Sequence, residues 1–181
     1  MRTRELVTAA LMAALTAAGA LIAIPITPVP VTLQVLFVLM AGLVLRPGAA
    51  VASMAVYISL GVAGLPVFSG GRAGLQILVG PTGGYLVGFV GAALLVSLIA
   101  GPGSRRTHPG WRSLAVAAGV TAIYSVGVMW LATQSGMGVP KAFVAGALPF
   151  LPIDALKGVL AVAAAQALER VGVLESVRQT A

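Results

Sequence analysis

Six apolar runs, near residues 5–24, 32–45, 48–65, 82–100, 112–133 and 150–169, occupy most of the 181-residue chain, and most of its charges fall in the gaps between them or at the two ends of the chain. Hydrophobic residues make up 59% of the sequence and charged ones 8%, whereas soluble domains are about 45–50% apolar and about 25% charged. A water-soluble protein of this size has nowhere to hide that much apolar surface. A bilayer core takes roughly 20 apolar residues as a helix, and fewer where a helix is short or ends at a polar vestibule. The chain therefore reads as an all-α integral membrane protein, one domain over 1–181 with six transmembrane helices. Prolines at 25, 28 and 30 separate the first two runs, and Pro47 and Gly48 turn the chain into the third. Pro149 and Pro152 suit the first turn of the sixth, where a missing N–H costs nothing.

Orientation follows from the positions of the bases. Arg2, Arg4, Arg46, Arg105, Arg106, Arg112, Arg170 and Arg178 would share one side, leaving Arg72 and Lys141 on the other. Basic residues concentrate on the cytoplasmic side of short loops, so both termini are expected in the cytoplasm. Arg2 and Arg4 ahead of an apolar stretch, with Ala18-Gly19-Ala20 behind it, also resemble a signal peptide, but the later runs already commit the chain to the membrane. In this topology the loop over 65–81 faces outward. The fourth and sixth helices then present their N-termini to the outer face, where free N–H groups favour an anionic ligand.

Several function classes fall away. The net charge of +7 comes from scattered bases, not a continuous patch, which argues against nucleic acid. With no cysteine there is neither a disulfide nor thiol chemistry. His108 is the only histidine and stands in a basic loop, so neither a metal site nor a Ser–His–Asp set can be assembled around it. Gly80-Pro-Thr-Gly-Gly-Tyr85 lacks the Lys-Ser or Lys-Thr of a nucleotide-binding loop, and no other stretch suits ATP. An enzyme and a bound cofactor are not expected.

The residues that remain carry the function. Asp154 and Lys157 lie three apart in the last apolar run, about 60° apart on one helix face. Either charge alone in a membrane costs on the order of 3 kcal/mol, and an intramembrane ionisable pair is a site hypothesis by default. The same pair also reads as a structural salt bridge pinning the sixth helix. Arg72, in Ser69-Gly-Gly-Arg-Ala-Gly74, is either a solvated loop arginine or a partner for a carboxylate. Its neighbouring glycines, Gly71 among them, would let the loop fold over a pocket and back. Glycines at 80, 84 and 88 suit close helix packing. Tyr85 is either an interfacial anchor or a pocket wall, and Gln34 a pocket hydrogen-bonder or a helix contact. Trp111, Tyr124 and Trp130 read as interface or core aromatics. Ala10, Ala14 and Ala18 form a flat stripe on the first helix, beside Ala9, Ala13 and Ala17, that would dock on another helix.

Four segments together resemble a known family. Pro28-Val-Pro-Val-Thr-Leu-Gln34, Gly64-Leu-Pro-Val-Phe-Ser-Gly-Gly71, Gly80-Pro-Thr-Gly-Gly-Tyr85 and Pro149-Phe-Leu-Pro-Ile-Asp-Ala-Leu-Lys157 look like BioY, the biotin-specific S component of energy-coupling factor transporters. The likeness runs end to end with matching spacing.

The resemblance implies a six-helix subunit in the cell membrane of a prokaryote that binds biotin from outside. It would deliver biotin together with a transmembrane T subunit and two cytoplasmic ATPases, toppling in the bilayer to release it. Ala10, Ala14 and Ala18 match the family's docking stripe for the T subunit. Asp154 would accept from the ureido N–H groups, and Lys157 would serve the ureido oxygen. Tyr85 and Gln34 would line the pocket. Arg72, with the helix N-terminus around Thr82 and Gly83, would hold the carboxylate; the reverse placement, with Lys157 on the carboxylate, is the alternative. Competing readings are an S component for another vitamin, a self-sufficient proton-coupled carrier, and a membrane scaffold.

Overall fold

A computed structural model describes residues 3–25, 29–102 and 108–171. Arg2, Pro28, Arg105, Arg106 and Arg178 lie outside the described residues. Six helices coincide with the six apolar runs: α1 (Thr3–Leu21), α2 (Gln34–Val44), α3 (Pro47–Val62), α5 (Gly83–Ala100), α6 (Pro109–Ser135) and α8 (Leu151–Arg170). Four of them, α1, α5, α6 and α8, are long and apolar enough to cross a membrane, while α2 and α3 are shorter apolar helices.

The differences from the sequence expectation lie where backbone pairing or packing overrides hydropathy. The first run stops at Leu21 because Ala23–Ile24 (β1) pairs with Val31–Thr32 (β2) in a two-stranded antiparallel hairpin. The second run consequently begins as a helix only at Gln34. Two short helices, α4 (Leu75–Val79) and α7 (Val139–Gly146), occupy stretches that read as loops. Pro140 lies in the first turn of α7, where its ring is tolerated.

At about 1.5 Å per residue α2 is only about 17 Å long, roughly half a hydrocarbon core. It lies in the middle of the bundle, with Val38, Leu39 and Ala41 fully buried, and touches α1, α3, α5, α6 and α8. The length that α2 leaves unfilled is taken by the hairpin and by a cavity.

Small residues bring the helices close. A Cβ on Gly84 would run into Trp130, and one on Gly88 would lie 3.0 Å from the Cα of Ile123, so both glycines bed α5 on α6. Gly80 does not share that face, contrary to the expected spacing. It ends α4, and its carbonyl accepts from the Trp130 indole at 2.9 Å. At the far end Ser97 Oγ donates to the Leu45 carbonyl at 2.6 Å, tying α5 to α2.

The charges sort by helix end. Arg4 begins α1, Arg46 precedes α3, Arg112 lies in the first turn of α6 and Arg170 ends α8. The carbonyl of Ala20, at the other end of α1, instead accepts from Gly70 in the α3–α4 loop. Arg112, 3% exposed, pairs with Glu169 and clasps the start of α6 to the end of α8.

Candidate functional site

The end of the bundle opposite Arg4 and Arg112 holds a half-open cavity of about 640 Å³, its solvent-filled mouth included. Three helices start there and give it their first turns: Gln34 from α2, Thr82 and Tyr85 from α5, and Phe150 and Asp154 around the start of α8. Helix N-termini carry partial positive charge, so three of them converging favour an anionic guest. Arg72 and Lys157 also line the space, against a single carboxylate, that of Asp154. One positive charge is left over for a ligand to meet.

Asp154 and Lys157 are 2% and 4% exposed and form a buried ion pair through Oδ1 and Nζ. The other carboxylate oxygen is engaged as well. Tyr124 of α6 donates its hydroxyl to Oδ2 at 2.5 Å. Each oxygen retains a second lone pair, so the carboxylate can still accept from a guest. Tyr124 was missed as a site residue in the sequence, where it read as an interface or core aromatic. Its ring meets Tyr85 edge-on, with centroids 6.2 Å apart at 83°.

Tyr85 is a buried pocket wall and not an interfacial anchor. It lines the cavity, and its hydroxyl donates to the Gly146 carbonyl of α7 at 2.8 Å. Gln34 lines the cavity too, and its amide is engaged once at each end: Oε1 accepts from Thr32 Oγ1 at 2.8 Å, and Nε2 donates to the Tyr57 hydroxyl at 2.5 Å. These bonds hold the hairpin, α2 and α3 in register.

The loop from Ala63 to Gly74 closes one side. Gly64, Gly70, Gly71 and Gly74 all have positive φ, between +70° and +106°, a conformation that side chains resist. Phe68 and Arg72 bond each other's backbone, and Gly74 N–H donates to the Gly61 carbonyl at 2.7 Å. Phe68 is fully buried and enters the cavity wall. The Arg72 side chain is exposed; its Nε donates to the Ser69 carbonyl at 3.0 Å, which turns it along the loop. Ser69 also lines the space, with its Oγ buried and unpartnered.

Of the residues singled out in the sequence, Gln34, Arg72, Thr82, Tyr85, Asp154 and Lys157 share this cavity. Gly71 and Gly83 do not line it. Gly71 shapes the loop through its φ of +75°, and Gly83 opens α5, where a Cβ would strike the Leu78 carbonyl. The apolar wall, including Val35, Leu86, Phe89, Ile123 and Phe150, carries no sequence signal that separates it from ordinary helix core. Away from the cavity, Ala10, Ala14 and Ala18 are exposed along α1, whereas Ala9 and Ala13 face the core.

Residues 1–172 match the BioY family. A probable biotin transporter BioY of Pyrococcus horikoshii is 42% identical over 169 residues, 93% of this chain and 98% of that protein. The biotin transporter BioY of Thermotoga maritima is 39% identical over 170 residues, 94% of this chain and 98% of its own length. The fold matches the crystal structure of the S-component for biotin from an ECF-type ABC transporter, with a TM-score of 0.84, 29% identity and coverage of 94% of this chain and 95% of that one.

Proposed function

The chain belongs to the BioY family, and from that premise we propose that it is the biotin-binding S component of an energy-coupling factor transporter. It is a membrane transport subunit and not an enzyme; hydrolysis of ATP falls to partner subunits. The observation that carries the reading is the buried Asp154–Lys157 pair on a largely apolar cavity whose exposed side bears Arg72.

Biotin is a polar ureido ring fused to an apolar thioether ring with a chain ending in a carboxylate. Asp154 is the acceptor for its ureido N–H groups, and Lys157 supplies a donor for the ureido oxygen while neutralising Asp154. Leu86, Phe89, Ile123 and Phe150 form apolar walls for the bicycle and chain, with Tyr85 and Gln34 beside them. Arg72 and the start of α5 at Thr82 take the carboxylate, with Gly83 letting α5 begin there and Gly71 giving the loop the turn that brings Arg72 there. A carboxylate matches the surplus positive charge of the lining.

In the membrane, α1, α2, α3, α5, α6 and α8 are the six crossing helices and both termini are cytoplasmic. The placement of Arg4, Arg46, Arg112 and Arg170 at one end supports this orientation, with the cavity opening outward. The host membrane is the cell membrane of a prokaryote. The exposed Ala10, Ala14 and Ala18 are the docking stripe for a T subunit, which couples the chain to two cytoplasmic ATPases.

The test is a calorimetric titration of the detergent-purified protein, prepared from biotin-starved cells. Tight one-to-one binding of biotin is expected. Folded protein that gives no heat with biotin overturns the reading.

A further inference from the structure

Helices α6 and α8 run side by side but leave a groove between them, lined by Val116, Ala117, Val120, Gly158, Val159 and one side of Asp154. Asp154 thus borders two spaces, the central cavity in front and this groove behind. Side-chain bonds join the two helices at either end of the groove: Arg112 to Glu169, and Tyr124 to Asp154. Lys157 cannot hold Asp154 relative to α6, because both stand on α8 three residues apart.

From this geometry we propose that Tyr124 is a positioning residue for ligand recognition: it holds the Asp154 carboxylate on the cavity side, so that the acceptor is in place before the ligand arrives. The inference rests on the assignment of Asp154 to the ureido N–H groups. Tyr124 is itself fixed. Its ring stands edge-on to Tyr85, whose hydroxyl is anchored on the Gly146 carbonyl of α7. The positioning bond therefore carries the location of α5 and α7 to the carboxylate on α8. Without it, among the described residues, a lysine on the same helix is the one side chain left bonded to the Asp154 carboxylate, and nothing ties that carboxylate to α6. A ligand must then spend part of its binding energy in bringing the acceptor back.

The experiment compares wild type, Tyr124→Phe and Tyr124→His by calorimetry, with biotin and with biotin methylated on a ureido nitrogen. Wild type should prefer biotin clearly. Tyr124→Phe keeps the ring on Tyr85 but removes the donor, and should weaken biotin about tenfold, as loss of a hydrogen bond to a charged group does. The same substitution should cost the methylated compound much less, which narrows the preference. Tyr124→His, with a ring N–H in place of the hydroxyl, should regain part of the loss. Equal weakening of both compounds would mean a general structural role and overturns the proposal, as does undiminished biotin affinity in Tyr124→Phe. A wild type with no preference between the compounds removes the ureido assignment, and this inference falls with it; a wild type that binds neither removes the biotin reading itself.

Discussion

The ring of Phe68 lies edge-on against Tyr57, with centroids 5.8 Å apart at 85°, and fills the space that a side chain on Gly61 would need. One aromatic side chain thus fastens the α3–α4 loop to the body of α3 beside the cavity. A methyl group at position 61 would displace the ring, and overpacking of this kind costs about 1–3 kcal/mol. Gly61→Ala should therefore loosen the loop and speed biotin release by at least about fivefold, by the same energy scale. A competition chase with labelled biotin measures this; an unchanged release rate would detach the loop from ligand retention.

Asp154→Asn should weaken biotin binding by more than about tenfold, because an amide presents N–H where an acceptor is required and leaves Lys157 buried without its counter-charge. Titration of the purified variant reads the result. Unchanged affinity would refute the role of Asp154 at the ureido ring.

Arg72 is exposed, so its charge acts through water and its contribution is modest. Arg72→Ala should lower the affinity for biotin by about two- to fivefold while leaving the methyl ester of biotin nearly unaffected. A parallel loss for acid and ester would place the carboxylate elsewhere, next to Lys157 in the reversed orientation.

Ala14 is exposed on α1, away from the cavity, so Ala14→Trp should leave biotin binding intact and block uptake in cells that also express the energy module. Normal uptake by this variant would remove the alanine stripe from the docking surface.

Glu169→Gln should lower the Tm of the ligand-free protein, since it strips the carboxylate from a buried arginine, a change that costs about 3 kcal/mol in comparable pairs. Thermal unfolding in detergent is the readout. An unchanged Tm would show that Arg112 finds equal compensation without a charge on residue 169.

Asp154 and Lys157 could be found by reading along the chain because a helix puts residues three apart on the same face, and hydropathy alone places that helix in a membrane. The same local logic located the six apolar helices and the alanine stripe. Arg72 stood out as a lone base in a glycine-rich loop. Gly80 was misread because regular spacing was carried past the point where α5 begins at Gly83. Tyr124 reads along the chain only as an interface or core aromatic, since its partner Asp154 lies 30 residues away.

By itself, then, the sequence determined the solvent the protein folds in, the segments that become apolar helices, and the charged pair that must be satisfied inside them. These depend on composition and on the fixed period of one helix, and both are local. Only the tertiary structure decided that α2 is cut short to make room for a cavity, that Gln34 is engaged by Thr32 and Tyr57, and that Tyr124 bonds the face of Asp154 left open by Lys157. Those facts depend on which helix faces which. In a membrane nearly every face is apolar, so the partners are chosen by the fit of small and large residues across helices, as where Gly84 and Gly88 bed on α6.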